Sequence, residues 1–389
     1  MATPTLQPTQ DSQESSASNT LNIWLPPQFA PTQDSPAGTL LAERLDEFNA
    51  LFPNLKVSYR VKAETGTASI LNSLQLANEV APLVLPDLVL ISNGSMYAAA
   101  EDQLIYPFPE TLTPEEDPDW YPAAYSLSTY QEQTYYLPLA ADAMMVAYDP
   151  TDLESFPASW GDLLLSEQSI AFPPADPQAN FTTALYIAEG GSFSDEEDQV
   201  QLDKALLTKI FNFYADLHAA DLLPANPAQI NSDELAWEQL SSGRTKMAVA
   251  WSSQYFQSTP TNLQAAPLPT SDGNPFTMIQ SWGWAITSAD PNVQAAATEL
   301  ARFLSSPEFT GPWSEAANLI PLRPSALASW SNTVNRTLAE HLMPAARSIP
   351  SPTVLSKVST PLTDAVLDVL TDVQTPEEAA ITAVESVGK

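Results

Sequence analysis

The stretch from Thr277 to Ala326 constrains this chain most, because it sets the order of five elements within fifty residues. Trp282 to Ile286 reads as a short apolar strand broken by Gly283. Asp290 then offers a side-chain oxygen to the free N–H groups of a helix start, and Pro291 suits the first helical position, where no N–H is needed. Val293, Ala296, Ala297, Leu300, Phe303 and Leu304 recur at helical spacing, which predicts one buried face. Ser305-Ser306-Pro307 stops that helix, Phe309, Trp313 and Ala316 begin another, and Leu319 to Pro324 runs extended.

The same alternation runs through the rest of the chain. Leu21 to Leu25 is a strand closed by Pro26-Pro27, residues 38–52 an amphipathic helix, Lys56 to Val61 a strand, and Ala68 to Val80 a helix. Asp87 to Ile91 is a continuous apolar run, the signature of a strand buried on both faces of a parallel sheet. Tyr135 to Tyr148 is a long apolar run interrupted by Pro138 and Asp142. Further helices are expected at Trp160 to Leu165, Phe181 to Glu189, Leu202 to Leu222 and Leu235 to Leu240, and a buried strand at Lys246 to Trp251. The last 45 residues read as two helices, the second starting at Thr375-Pro376. Strands alternating with helices of this length predict an α/β fold with right-handed crossovers.

At 389 residues the chain exceeds one ordinary core and predicts two domains. A formal charge of −33, from 47 acids against 14 bases, repels phosphate backbones, so nucleic acid is not the expected partner. The absence of cysteine excludes disulfides, thiolate metal sites and cysteine nucleophiles. No run of about 18 apolar residues is present to span a bilayer. The first twenty residues are Thr, Ser, Gln, Pro and Ala with a few acids and cannot build a core.

Eight segments in order carry a family resemblance: LNIWLP, FNALFPNLKVSYRV, PDLVLIS, LIYPFPE, QTYYLPLAADAMMVAYDP, QLSSGRTKMAVAWSS, SWGWAITSADP and VQTPEEAAITAVESV. Together they resemble the bacterial extracellular solute-binding proteins, the sugar-binding family that includes the maltose-binding protein, from Leu21 to about Val387. The resemblance implies a two-lobe periplasmic-binding-protein-like α/β fold (type II) with the ligand in the cleft between lobes. On this pattern residues 21–137 with 279–325 form lobe one, and residues 138–278 with 326–389 form lobe two, C-terminal helices included. It also implies a monomer that delivers a carbohydrate, an oligosaccharide by expectation, to the permease subunits of an ABC importer. The place is extracellular or periplasmic, with residues 1–20 as a flexible tether from a lipid anchor (a frayed tail is the alternative), no cofactor and no chemistry of its own.

In open α/β sheets ligands bind beyond the carboxyl ends of strands. That rule and the resemblance select Gln28 after the first strand, and Asn93 and Ser95 after PDLVLIS, with simple helix capping as the alternative for the last two. Asp142 is an acid inside an apolar run and needs a partner or a wet cavity. The resemblance places it at the hinge as a ligand contact; a buried salt bridge with Arg323 is the alternative. Gln178, Asn180 and Phe181 lie in a loop that often carries sugar-binding groups in this family, and Trp251 to Gln254 follow a strand that often ends in an aromatic. Exposed tryptophans suit the C–H faces of sugars, so Trp251 and Trp282 complete the expected site with Gln254 and Arg323. Maltodextrin binders offer an aromatic from the C-terminal helix pair; Leu355 to Pro361 has none.

Two other readings compete. A carbohydrate-active hydrolase needs paired carboxylates, and nothing in the sequence places two of the 47 acids at one site. Of the two histidines, His218 falls near a helix C-terminus, where it satisfies the dipole, and no P-loop, dinucleotide fingerprint or nucleophile elbow is present. The runs Glu115-Glu116-Asp117 and Asp195-Glu196-Glu197-Asp198 lack calcium-loop spacing, so no metal is expected. Within the transport reading, the charge leaves a polyamine as the alternative solute.

Overall fold

The computed structural model describes residues 19–387, apart from residues 33, 82–83, 110–111, 113, 115–116, 154, 195–198 and 259–261. Residues 1–18 of the expected tether, Glu115-Glu116 and the acidic run at 195–198 lie outside the described residues. The tether expectation overlaps the sheet by two residues, because β1 runs Asn19–Leu25 and pairs along its whole length with β2, Leu55–Val61. Between them lies α1 (Pro36–Leu51), capped by Ser35, whose hydroxyl accepts the Gly38 N–H. After α2 (Ile70–Val80) the chain enters β3 (Leu88–Ser92) and α3 (Asn93–Glu101). β3 pairs with β1 in parallel and with a much later strand in antiparallel, and its apolar run is buried because Leu88 and Leu90 enter one core cluster and Val89 and Ile91 another on the opposite face.

After α4 (Ala123–Ser128) and a short hairpin, β4 (Thr129–Tyr130) and β5 (Gln133–Thr134), comes β6 (Leu137–Tyr148), a twelve-residue strand buried throughout. The next elements are α5 (Trp160–Leu165), β7 (Ile170–Ala171), α6 (Asn180–Ala188), α7 (Lys204–Ala219), α8 (Asp233–Ser241), β8 (Met247–Trp251), α9 (Ser252–Gln257) and β9 (Gln264–Ala266). The chain returns through β10 (Thr277–Ile286) into α10 (Pro291–Leu304), α11 (Pro307–Ala317), β11 (Ile320–Pro321) and α12 (Pro324–Leu327). It closes with α13 (Thr333–Leu342), β12 (Ala346–Ser348), α14 (Pro352–Leu370) and α15 (Pro376–Val387).

The main sheet runs β2-β1-β3-β10-β6-β8-β7. β6 pairs with β10 through its first seven residues and with β8 and β9 through its last five, so one continuous strand joins the two halves of the sheet. At about 3.3 Å per residue it spans roughly 40 Å. The register between β10 and β6 slips at Trp282/Gly283. Glycine is required there: a Cβ would stand 2.5 Å from the Leu137 carbonyl oxygen and 2.7 Å from the Tyr136 ring.

One core cluster joins α1, α10 and α11 to the β1–β3 half through Phe48, Leu300 and Trp313. A second, built on Phe211, Tyr214 and Leu362, holds α7, α14 and α15 against the β7–β8 half. A third lies under α2 and α3, with Leu74 and Met96 buried. The C-terminal helices thus join the second half, whereas Trp330 and Leu338 of the α13 region belong to the first cluster.

Candidate ligand cleft

β3 ends at Ser92, whose hydroxyl caps α3 by accepting the Ser95 N–H at 3.2 Å. The next residue, Asn93, is buried, and both ends of its amide are engaged: Oδ1 accepts the Ser281 N–H of β10 at 3.0 Å, and Nδ2 donates to Ser348 Oγ of β12 at 3.2 Å. Asn93 therefore ties three strands together at the sheet's carboxyl edge. Beside it opens a cavity of about 520 Å³. Glu64, Asn93, Ser95, Gln178, Gln280, Ser356 and Thr360 are among the residues that line it, together with the apolar Pro177, Ile349, Pro350 and Leu355.

Glu64 follows β2 and organises the first rim. One carboxylate oxygen accepts the Trp282 indole N–H at 2.6 Å, and the other accepts the side-chain amide of Gln28. Gln28 and Trp282, both expected at the site, meet through a residue the sequence reading did not select. Trp282 is only 8% exposed and packs edge-on against Phe29, so its ring is a wall and not an open platform.

The second rim is a turn after β7. Asp176 accepts the Gln178 N–H at 2.9 Å and the Asn180 N–H at 3.0 Å, with Ala179 in the left-handed region at φ 52°. α14 clamps this turn: Ser359 Oγ donates to the Gln178 carbonyl at 3.0 Å and Thr363 Oγ1 to the Asp176 carbonyl at 2.7 Å. Trp251, half-buried at the end of β8, donates its indole N–H to Asp233 at 2.8 Å. Burial pushes the Asp233 carboxyl up to about 6; the Trp251 bond opposes the rise, and the charges of Asp176, Glu234 and Asp142 add to it.

The decisive finding on kinship is a sequence one: residues 43–339 match the profile of the bacterial extracellular solute-binding proteins. The chain belongs to that family. No curated protein matches the sequence. Among solved structures, the maltodextrin-binding protein of L. casei aligns over 96% of this chain and 99% of its own, with a TM-score of 0.75 and 17% identity. The sugar-binding protein of Xanthomonas citri aligns over 95% and 96%, at 0.76 and 15% identity. An ABC transporter solute-binding protein of Thermotoga lettingae, solved with α-D-tagatose, aligns over 95% and 99%, at 0.69 and 22% identity. The fold of this solute-binding protein is therefore the two-lobe, maltose-binding-protein-like α/β architecture that its sequence implied.

The other expected site residues of the solute-binding protein fall elsewhere. Asp142 is 5% exposed and points into α9, accepting from Ser252 Oγ at 2.8 Å and from the Ser253 N–H at 2.9 Å, with Ser253 Oγ also bonded to it. Burial raises its carboxyl above the ordinary value against the pull of those donors. The carboxylate is a structural cap joining β6 to α9, and the alternative partner, Arg323, is not involved. Arg323 pairs with Asp117 at 2.7 Å and Asp119 at 3.5 Å, stacks on Trp120 at 3.9 Å, and lines a separate cavity of about 190 Å³. Phe181 is core: its ring packs 5.0 Å from Phe172 and 6.1 Å from Tyr214. Asn180 is buried behind Gln178, to which its amide nitrogen donates at 3.2 Å. Gln254 is half-buried in α9 and does not line the 520 Å³ cavity.

Glu64, Gln280 and the hydroxyl-bearing face of α14 were missed. The only available signal for α14 was negative, the lack of an aromatic in Leu355 to Pro361, where Ser356, Ser359 and Thr360 now line the cleft.

Proposed function

We propose that this solute-binding protein captures a carbohydrate in the cleft and delivers it to the permease subunits of an ABC importer. On this reading it works as a monomer in the extracellular or periplasmic space, tethered by its N-terminal segment to a lipid anchor, and catalyses nothing. Lobe one comprises residues 21–137 and 279–325, lobe two residues 138–278 and 326–389, and closure bends the strands that join them.

One observation carries the ligand class. The cavity of about 520 Å³ has the size of a small-molecule site, and its wall mixes hydrogen-bonding side chains such as Glu64, Ser95, Gln178, Gln280 and Thr360 with the apolar Pro177, Ile349, Pro350 and Leu355, a pairing that suits the hydroxyls and C–H faces of a sugar. A polyhydroxylated ligand offers the donors and acceptors that such a wall needs. The relatives support this choice: the L. casei protein is a maltodextrin-binding protein, and the T. lettingae protein was solved with α-D-tagatose. The aromatic-free α14 argues against a maltodextrin held by stacking on that helix.

A thermal-shift screen of mono-, di- and oligosaccharides, with amino acids and polyamines as controls, tests the proposal. A carbohydrate at about 100 times its dissociation constant adds about 2.7 kcal/mol to stability, an easily read shift. Response to a control with silence from every carbohydrate overturns the ligand class.

A further inference from the structure

The wall of the 520 Å³ cavity carries its charge on one side chain. Among the described residues Glu64 is the only acid that lines it, and no Lys, Arg or His does. Glu64 enters no ion pair among the described residues. Its carboxylate is held instead by two neutral donors, the Trp282 indole N–H at 2.6 Å and the Gln28 amide, neither of which lines the cavity. A carboxylate has about four lone-pair sites, so these two bonds leave roughly half of its accepting capacity for a ligand.

The remaining free groups of the wall are neutral. The side chains of Thr65, Gln280 and Thr360 line the cavity and make no hydrogen bond within the described residues. Gln178 spends its carbonyl oxygen on the Asn180 amide and keeps its own nitrogen as a donor. Hydroxyls and amides both donate and accept, which is the profile that a sugar hydroxyl matches. A hydroxyl that donates to Glu64 makes a charge-assisted bond, roughly twice as strong as a neutral one. A ligand carboxylate, sulfate or phosphate meets the opposite conditions. It gives up water without a cation to receive it, and it is repelled by Glu64 nearby and by a net charge of −33 at longer range.

We propose that Glu64 selects the ligand by charge: the cleft takes an uncharged saccharide, one hydroxyl of which donates to Glu64, and rejects sugars that carry an anionic group. The inference rests on the carbohydrate reading above and adds to it the residue that reads the ligand's charge.

The test is calorimetric titration of the full chain with matched neutral and acidic sugars: glucose and glucuronate, galactose and galacturonate, mannose and mannuronate, each as monomer and trimer, with glucosamine as the cationic control. In any pair that binds, the neutral member is expected to be at least about a hundredfold tighter at about 20 mM NaCl, and the ratio to shrink at about 200 mM. Glu64→Gln is expected to weaken the neutral member severalfold and to cut the ratio by at least about tenfold. Thr360→Lys, on an exposed residue of the wall, supplies the missing cation and is expected to admit the acidic member even if Glu64→Gln disturbs the Trp282 and Gln28 anchors. An acidic or amino sugar that binds as tightly as its neutral counterpart overturns the selection and leaves the carbohydrate reading intact. A ratio that both variants leave unchanged overturns the role of Glu64. Silence from every pair overturns the carbohydrate reading itself.

Discussion

At the carboxyl end of β3, the buried polar side-chain atoms of Ser92, Asn93 and Trp282 all find partners inside the protein. At the carboxyl ends of β7 and β8, Asp233 and Asn180 each bury an acceptor that finds none. The two rims hold the same topological position, where strands stop and loops begin. One is finished as structure: amides and hydroxyls there lock strand to strand. The other is left unfinished: the charges of Asp176, Glu234 and Asp142 act on Asp233, and two buried acceptors there have no donor.

The largest effect that sharpens this contrast belongs to the finished rim. Asn93→Ala removes a buried side chain that serves β10 and β12 together and strands the Ser281 N–H, so a loss of about 3 kcal/mol is expected in denaturant unfolding. A loss under about 1 kcal/mol would show that the first rim is no more tightly finished than the second.

The second rim predicts a gain. Asp233 has its carboxyl raised to about 6 in the folded chain, so folding disfavours its ionised form. The part of the stability that depends on this group is full below the ordinary aspartate value near 3.8, falls as pH rises from about 4 to about 6, and is flat above. Asp233→Asn removes that penalty. Discounting for the residue's partial exposure, it should stabilise the protein by about 2 kcal/mol at pH 7.5 and by almost nothing at pH 4. An Asp233→Asn variant that is less stable at both pH values would break the comparison. The smallest effect is on the exposed side of the first rim: Gln28→Ala loses one solvent-facing bond to Glu64, and its unfolding midpoint should move by no more than about 0.5 kcal/mol equivalent.

Local pattern carried most of the fold. Trp160 to Leu165 is a helix to the residue as read, because Ser159 caps it and its apolar positions repeat at helical spacing. Tyr135 to Tyr148 reads as a long apolar run, and all but its first two residues form β6, buried throughout because every position is covered on both faces. Side-chain destinations were less legible, since they depend on partners remote in sequence. Asp142 finds Ser252 and Ser253, 110 and 111 residues on, and Arg323 finds Asp117, 206 residues back. Phe181 occupies the second position of α6, and nothing local dictates that its ring turns inward to Phe172 and Tyr214. Glu64 carries no local signal at all, since its partners Gln28 and Trp282 lie 36 and 218 residues away in sequence.

The splicing of β10 between β3 and β6 has a consequence for synthesis. Ser92 is made about 190 residues before its partner Trp282. At about 5–20 residues per second, β3 waits roughly 10–40 s with an apolar edge uncovered. An unpaired strand of that character is a template for self-association. The first half of this protein is therefore exposed to aggregation throughout the time in which the second half is being made, and a holdase that keeps the nascent chain extended until Ile286 has emerged should raise its yield more than one that acts on the finished chain.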